Sequence, residues 1–389
     1  MKPTLGLTVL GLLLVLGACA AQPGAQSASQ PAVPSHDPAL LTGERLFGAP
    51  LDPALMPRVD VLGLNEAMRA FVRAHTEGDR LAATRLRDLT EALLAEGYFG
   101  ETRYNPRETL TAAEAFRTRN GNCLSFTNLF VAMAREADLD AVYQIVEVPP
   151  SFDADSGFLI RYTHINVLLR GLRLQKALNE VVVVDFNVIQ PDGDHPRREV
   201  SDDYAAALYY ANHAIERLRN NKVHDAFAYL RRAIELAPRN PDLWVNLGAL
   251  YGSQDDFNSA VEAYDVAVAL DPFNRTALAG LARSHRSLGN VARAEAFDAR
   301  ARKYLESNAY FHLANAQAAY LRGEFEPALA SVNRALALER RSGRFWFVKG
   351  LIEERMGAVD DARQSYRLAR RYGVSSPQKR ERLRNGRTT

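Results

Sequence analysis

Cys123, one of two cysteines in the chain, follows a short Asn-Gly-Asn segment and opens an apolar run. The run from Phe126 to Ala137 carries its large apolar residues at helical spacing, which predicts a helix that begins near Cys123. The first turn of a helix has unpaired backbone N–H groups and the positive end of the helix dipole, and both stabilise a thiolate. The position suits a cysteine nucleophile, although a buried structural cysteine would also fit there.

Two residues further along the chain could complete a nucleophilic site. His164 lies in the alternating segment Thr-His-Ile-Asn-Val, and Asp185 lies in the apolar run from Val181 to Val188. Both segments read as strands, and we expect them to pair. A histidine on one strand beside an aspartate on the next is an arrangement in which the carboxylate orients the imidazole through its second ring nitrogen.

Other interpretations of these residues stay open at this stage. Cys123 could be a core residue, His164 a hydrogen-bonded sheet histidine, and Asp185 the start of a turn. A metal site built from all three would have only three ligands and lacks the close ligand spacing of zinc motifs. A phosphate-binding loop is excluded because no Lys-Ser or Lys-Thr follows the glycine.

The order of these residues resembles the transglutaminase-like, papain-related superfamily, over roughly residues 60–200. The matching motifs are Gly121-Asn122-Cys123, His164 in Thr-His-Ile-Asn-Val and Asp185 in Val-Val-Asp-Phe. The resemblance implies that Cys123 attacks a carboxamide or peptide carbonyl, that His164 carries the proton and that Asp185 holds His164. A thioester would form and be resolved by water or by an amine, with no cofactor and no metal.

The resemblance also implies an oxyanion hole with two donors, one of which is the Cys123 backbone N–H. Some family members use an upstream aromatic side chain as the second donor. Here no tryptophan precedes Cys123, because both tryptophans lie further along the chain. Tyr104, Asn120 and Gln144 are the candidates for the second donor.

The N-terminus carries targeting signals. Residues 1–18 have a lysine followed by a short apolar run, typical of a signal peptide and too short for a permanent membrane span. The ending Leu16-Gly17-Ala18-Cys19 resembles the lipobox of bacterial lipoproteins, which implies lipidation at Cys19 and attachment to a membrane. Ala20 in place of Asp favours the outer membrane of a Gram-negative cell, facing the periplasm. The alternative is a plain secretory signal.

Composition shifts divide the rest of the chain. Residues 19–41, rich in Gln, Ala, Ser and Pro, predict a flexible tether. Residues 42–204 predict an α+β domain in which helices precede an antiparallel sheet. Residues 375–389 form a basic tail that we expect to be disordered. The formal net charge of +2 gives no reason to expect a nucleic-acid partner.

Residues 205–374 are repetitive and predict an all-α solenoid of five tetratricopeptide (TPR) repeats. Alanines recur with a spacing of 34 residues, the period of this helix–turn–helix repeat. They form two series: Ala226, Ala260, Ala294, Ala328 and Ala362, and Ala233, Ala267, Ala301, Ala335 and Ala369. Such an array usually offers a groove to a protein or peptide partner, although it could serve only to stabilise the chain.

Two functions from different classes fit this organisation. The first is a membrane-anchored, periplasmic cysteine hydrolase or acyltransferase whose repeats recruit a protein, with cleavage of cell-wall peptides as a variant. The second is a catalytically inactive envelope scaffold in which both domains mediate protein–protein interaction.

Overall fold

The computed structural model describes residues 15–17, 33–78, 81–99, 104–147, 151–153, 158–160, 163–174, 177–186 and 197–373. The chain divides into two compact units. The first combines Met1–Glu147 with Thr163–Phe297, and the second combines Val148–Tyr162 with Asp298–Thr389. Cys19 and the basic tail lie outside the described residues. Within the described residues, no helix is long and apolar enough to cross a bilayer.

The region before the sheet is helical, as its sequence pattern predicts. The helices are α1 Glu44–Phe47, α2 Glu66–Thr76, α3 Ala82–Ala95, α4 Ala112–Thr118 and α5 Cys123–Glu136, with 3-10 helices at Pro38–Leu41 and Pro53–Leu55. Helix α4 begins with a capping box, in which Thr111 and Glu114 bond each other's backbone N–H groups.

Five of the described strands form an antiparallel sheet in the order β1-β6-β5-β2-β7. They are β1 Val15–Gly17, β2 Asp140–Glu147, β5 Thr163–Leu174, β6 Ala177–Val184 and β7 Arg197–Val200. Strands β3 Ser151–Asp153 and β4 Phe158–Ile160 pair separately. The short strand β1 lies within the predicted signal peptide, whose other residues are outside the described part.

The structure corrects two predicted strands. The alternating pattern around Thr-His-Ile-Asn-Val extends from Phe158 to Arg170 and by itself predicts one strand, but this segment contains β4 and the start of β5, which belong to different sheets. The strand predicted to contain Asp185 ends at Val184, so Asp185 immediately follows β6. Alternating apolar residues continue through both segments, and pairing partners rather than local pattern decide where the strands end.

Helix α5 packs against β2 and β5 in the core of the first unit. Ile165, Val167 and Leu169 of β5 belong to this core, whereas His164 and Asn166 have the opposite parity along the strand. Polar contacts reinforce the packing: the Thr127 hydroxyl donates to the Ile165 carbonyl, and the Tyr143 hydroxyl donates to Asn128. The helix that begins with Cys123 is therefore fixed to the strand that carries His164.

In the described part of the chain, ten helices follow the sheet in five consecutive pairs, as the 34-residue period predicts. They are α6 Asp202–Arg219, α7 Val223–Leu236, α8 Pro241–Ser253, α9 Phe257–Leu270, α10 Arg275–Ser287, α11 Val291–Glu306, α12 Ala309–Leu321, α13 Phe325–Leu338, α14 Gly343–Arg355 and α15 Val359–Arg371. The residue at the equivalent turn of every pair has a left-handed backbone: Asn221, Asp255, Gly289, Gly323 and Gly357.

The two alanine series lie where paired helices approach each other. All ten residues are buried except Ala301, which is only half-buried. A larger side chain at the buried positions would push the helices apart. Ala301 falls in the third pair, whose sequence departs most from the repeat pattern.

The segment just before the first α-helix is ordered, in contrast to the predicted tether that extends to residue 41. Leu40 is completely buried, and its carbonyl accepts a hydrogen bond from the Tyr251 hydroxyl at 2.8 Å. The His36 ring contacts the Trp244 ring edge-on, with centroids 4.7 Å apart. Leu40 and these aromatic contacts supply the buried apolar area that the Gln/Ser-rich part of the segment lacks.

Candidate functional site

A rigid turn sets the start of helix α5. Gly121 has φ +142°, and a Cβ atom built there would lie 2.4 Å from the Ser125 Cβ, so only glycine fits. Asn122 then caps the helix. Its side-chain oxygen accepts a hydrogen bond from the Ser125 N–H at 3.0 Å, and the Ser125 hydroxyl oxygen accepts one from the Asn122 N–H. This reciprocal cap fixes Cys123 as the first residue of the helix.

A buried polar network supports the cap from outside the helix. Thr109 Oγ1 accepts a hydrogen bond from the Asn122 side-chain amide at 2.7 Å and another from Asn212 Nδ2 at 3.0 Å. Asn212 belongs to α6, the first helix of the repeat region. One hydroxyl therefore joins the cap of the cysteine helix to the helical repeats.

His164 and Asp185 form a close pair. His164 Nε2 lies 2.6 Å from Asp185 Oδ1, and the ring is only 5% exposed. The antiparallel pairing of β5 with β6 explains the proximity, because Val167 is opposite Val184 and Asp185 is the next residue. The neighbouring Phe186 ring packs on the rings of Phe126 and Phe130 in α5, which anchors this strand end.

Asn166 fixes the second oxygen of the aspartate. Its Nδ2 donates to Asp185 Oδ2 at 3.1 Å, so both carboxylate oxygens have a partner. Asn166 is two residues after His164 on β5 and therefore points to the same side of the strand. We did not predict this role, although the period-2 spacing in Thr-His-Ile-Asn-Val would have been sufficient to find it.

Cys123 lies close enough to the His164 ring to raise its pKa. Burial alone would lower the pKa of His164, but the hydrogen bonds with Asp185 and with Cys123 raise it to about 9. The imidazolium form is thus favoured at neutral pH. Since Nε2 is held by Asp185, Nδ1 is the ring nitrogen that remains for the cysteine. The Cys123 side chain itself is half-buried.

Tyr104 also reaches the cysteine. Its hydroxyl lies close enough to Cys123 for that residue to affect the pKa of the phenol. Burial, followed by the charge and the hydrogen bond of Cys123, raises the pKa of Tyr104 to about 12, so the phenol stays protonated. The other two predicted donor candidates are placed differently: Asn120 Nδ2 donates to Glu108 at 2.5 Å, and Gln144 sits on β2 opposite Asn166.

The structure therefore brings Cys123, His164 and Asp185 together, and it adds Tyr104 and Asn166 around them. Catalysis by these residues stays a prediction, as does lipidation of Cys19. Among the described residues, no group of three or more His, Cys, Asp or Glu side chains could hold a metal ion. The role of Thr109 in supporting the helix cap could not be predicted from the sequence, because its two hydrogen-bond partners come from distant segments.

Two protein families match the chain. The transglutaminase-like superfamily matches residues 69–165, a stretch that contains Cys123 and His164 and ends before Asp185. The tetratricopeptide repeat matches residues 211–272, 250–308 and 313–377. The matches lie in the order that the sequence pattern predicts. No curated protein matches the sequence.

Several solved structures resemble part of the chain. MamA from Desulfovibrio magneticus RS-1 is 16% identical, with 44% of this chain and 96% of that chain covered and a TM-score of 0.25. Pseudomonas aeruginosa pilF is 17% identical, with 46% of this chain and 81% of that chain covered and a TM-score of 0.26. TTC0263, a thermophilic TPR protein in Thermus thermophilus, is 21% identical, with 46% of this chain and 98% of that chain covered and a TM-score of 0.25. Similarity this low carries no argument about function.

Proposed function

Because the chain contains a transglutaminase-like domain followed by TPR repeats, we propose that it is a cysteine hydrolase or acyltransferase whose repeats bind a protein. The observation that carries the proposal is the chain of contacts from Cys123 to His164 to Asp185, with the 2.6 Å bond between the last two. The repeats support protein–protein interaction.

In the first half-reaction, the Cys123 thiolate attacks the carbonyl carbon of a carboxamide or peptide bond. A carbon–sulfur bond forms and the carbonyl oxygen takes the negative charge. The His164 imidazolium gives its proton to the leaving nitrogen as the carbon–nitrogen bond breaks, which releases an amine and leaves a thioester. The raised pKa of His164, about 9, keeps that proton available at neutral pH.

In the second half-reaction, water or an amine attacks the thioester carbonyl. Neutral His164 accepts the proton of the attacking group, the carbon–sulfur bond breaks, and Cys123 returns as a thiolate. Water gives an acid and makes the protein a peptidase or amidase, whereas an amine gives a new amide and makes it a transferase. Asp185 keeps the His164 ring in one orientation through both halves, and Asn166 keeps Asp185 in place.

The acylation step can be tested without knowing the substrate. In the full chain with Cys19→Ser, Cys123 is the only thiol. We expect p-nitrophenyl acetate to give a burst of p-nitrophenol and an acetyl group on Cys123, found by peptide mapping. His164→Ala should slow the burst by at least about 10²-fold. A matched control is His285→Gln, another buried histidine, which lies in the repeats.

A scaffold function is the alternative outcome of this experiment. If Cys123 is acetylated no faster in the folded protein than in the urea-unfolded chain, and His164→Ala does not change the rate of acetylation, the site is not a catalytic one. Recovery of the same membrane partners by the wild type and by Cys123→Ala would then assign the function to protein binding alone.

We propose in addition that Cys19 is lipidated and anchors the protein to the outer membrane, facing the periplasm. The support is the sequence Leu-Gly-Ala-Cys at the end of an apolar leader and Ala20 after it. Expression in a Gram-negative host with an alkyne-labelled fatty acid should label the wild type and not Cys19→Ala. Equal labelling of both, or recovery of the wild type in the soluble periplasmic fraction, would contradict the anchor.

A further inference from the structure

Residues 36–51, here called the N-terminal segment, lie on helices α7, α8 and α9 of the repeats. The Leu40 carbonyl accepts a hydrogen bond from the Tyr251 hydroxyl of α8 at 2.8 Å. The Phe47 ring stacks on the His224 ring of α7, with centroids 3.7 Å apart. The segment therefore contacts the repeats through a backbone carbonyl and an aromatic ring, as a bound peptide would.

An arginine completes the contact on α9. Arg45 Nη1 donates to the Ser259 hydroxyl at 3.1 Å and to the Glu262 carboxylate at 3.0 Å, and Nη2 donates to Asp37. Arginine and aromatic anchors are typical of the residues that dominate binding at protein interfaces. The side chains of Arg45, Asp37 and Glu262 are 25%, 50% and 43% exposed, so solvent screens these ion pairs and they hold the segment only weakly.

The N-terminal segment does not fill the surface on which it lies. An open cavity of about 620 Å³ remains between His36 and Asp37 of the segment and helix α9, where Glu262, Asp265 and Val266 line it. This volume is in the range of sites that bind ligands in proteins. The surface thus has room for a side chain that the segment does not supply.

The cavity is acidic. Asp37, Glu262 and Asp265 contribute carboxylates, and none of the described residues that line it is a lysine or an arginine. Burial raises the pKa of Asp265, and the charge of Glu262 adds to this, while His285 and Arg293 only partly offset it. A cationic group in the cavity would stabilise both carboxylates of α9.

We propose that the surface of α7, α8 and α9 is a peptide-binding site that the N-terminal segment fills only in part. A partner protein displaces the segment with a peptide that has similar apolar and aromatic anchors and, in addition, places a lysine or arginine side chain in the acidic cavity. This inference rests on the protein-binding part of the proposed function and is independent of the chemistry at Cys123.

The test uses the full Cys19→Ser chain with a protease site inserted after Leu55, which is 61% exposed. Cleavage turns the N-terminal segment into a separate ligand. We expect a fluorescein-labelled peptide of residues 33–52 to replace it in the cleaved chain, as measured by fluorescence anisotropy. The uncut chain should bind the peptide at least about 10²-fold more weakly, because its own segment is held nearby at a high effective concentration.

A second peptide tests the cavity. It carries Ser35→Lys, because Ser35 lines the cavity, and it should bind the cleaved chain about 5-fold more tightly than the unmodified peptide. Asp265→Asn in the chain should remove that gain, so that the two peptides bind this variant equally within about 2-fold. Tyr251→Phe removes the hydrogen bond to the Leu40 carbonyl and should weaken both peptides by the same factor.

Two results overturn the proposal. If the cleaved fragment stays attached and the labelled peptide does not bind, the segment is a permanent part of the fold. Unfolding of the chain on cleavage, measured by circular dichroism, would lead to the same conclusion. If the Ser35→Lys peptide binds no more tightly, or keeps its gain with Asp265→Asn, the cavity does not select a cation. Failure of the catalytic proposal looks different, because it appears in the acetylation of Cys123 and not in peptide binding.

Discussion

The two halves of the helical repeats have different structural neighbours. Helices α6 to α10 share one continuous apolar core with the transglutaminase-like domain, whereas α12 to α14 form a separate core in the second unit and α15 packs on α14. Specific polar contacts join the first half to the domain: Val59 with Tyr210, Thr109 with Asn212, and Arg135 with Asp202. The second half is held by internal contacts such as Ser365 with Glu353, at 2.6 Å.

This difference suggests that the two halves of the repeats have different roles. The first pairs of helices are part of the structural support of the cysteine helix, so changes in their core should reach Cys123. The last pairs have their own core and can carry a partner-binding role without supporting the site. Three predictions test this comparison, in order of decreasing expected effect.

The largest effect on stability should come from replacing one buried phenylalanine in each core by alanine. Phe227 in α7 and Phe345 in α14 are both completely buried. Replacement of either by alanine should destabilise its own core by about 3–5 kcal/mol. Hydrogen exchange measured by mass spectrometry should then show faster exchange in residues 123–136 for Phe227→Ala. Phe345→Ala should speed hydrogen exchange in α12 to α15 only. If it also speeds exchange in residues 123–136 as much as Phe227→Ala does, the two halves of the repeats do not differ in their support of the cysteine helix.

A smaller effect should follow from removing two buried hydroxyls, that of Thr109, which binds the first half of the repeats, and that of Ser365, which lies within the second half. Thr109→Val leaves the side-chain amides of Asn122 and Asn212 without this acceptor, at a cost of about 1–3 kcal/mol. We expect slower acetylation of Cys123 as well, because the helix cap loses its support. Ser365→Ala removes the donor to buried Glu353 and should cost a similar amount in chemical denaturation, with unchanged acetylation.

Thr109→Ser is the matched control for this pair, since it keeps the hydroxyl and loses only a methyl group. It should restore most of the acetylation rate. If the valine and serine variants behave alike, the hydrogen bonds of Thr109 do not position the cysteine helix.

The smallest effect should come from an exposed ion pair between the domain and the first repeat helix. The two terminal guanidinium nitrogens of Arg135 donate to the two Asp202 carboxylate oxygens, at 2.6 and 2.9 Å, but the side chains are 36% and 51% exposed. Solvent screens such a pair, so Asp202→Asn should lower the free energy of unfolding by less than about 1 kcal/mol, and less still in high salt. A loss above about 2 kcal/mol would show that this contact is a major link.

The sequence predicts well those features that arise from neighbouring residues. The start of α5 follows from Asn122 and Ser125, three residues apart, and the repeats follow from a period that recurs in register. Pairing of the strand that carries His164 with the one that precedes Asp185 also follows, because both are apolar, adjacent in the chain and separated by a turn.

Features that depend on distant segments were not predictable. Strand β7 has no apolar alternation and exists because its backbone pairs with β2. Leu40 is completely buried at the end of a segment that reads as a tether, and its carbonyl is bound by Tyr251, which lies 211 residues further along the chain. The backbone bridge between Tyr104 and Gly121 joins residues 17 positions apart, so no local pattern in the sequence predicts it.

The central claim, that Cys123 works with His164 and Asp185, is tested most directly by the pH dependence of Cys123 alkylation with negatively charged iodoacetate. The pKa of His164 is raised from 6.5 to about 9, so the imidazolium that attracts this reagent persists below that pH and is lost above it. We predict that the rate falls as pH rises through about 9, while neutral iodoacetamide shows no such fall. Asp185→Asn should move the fall to lower pH, because the carboxylate charge that raises the pKa is gone. A rate that climbs through pH 9 as in the urea-unfolded chain, unaffected by Asp185→Asn, would contradict the account.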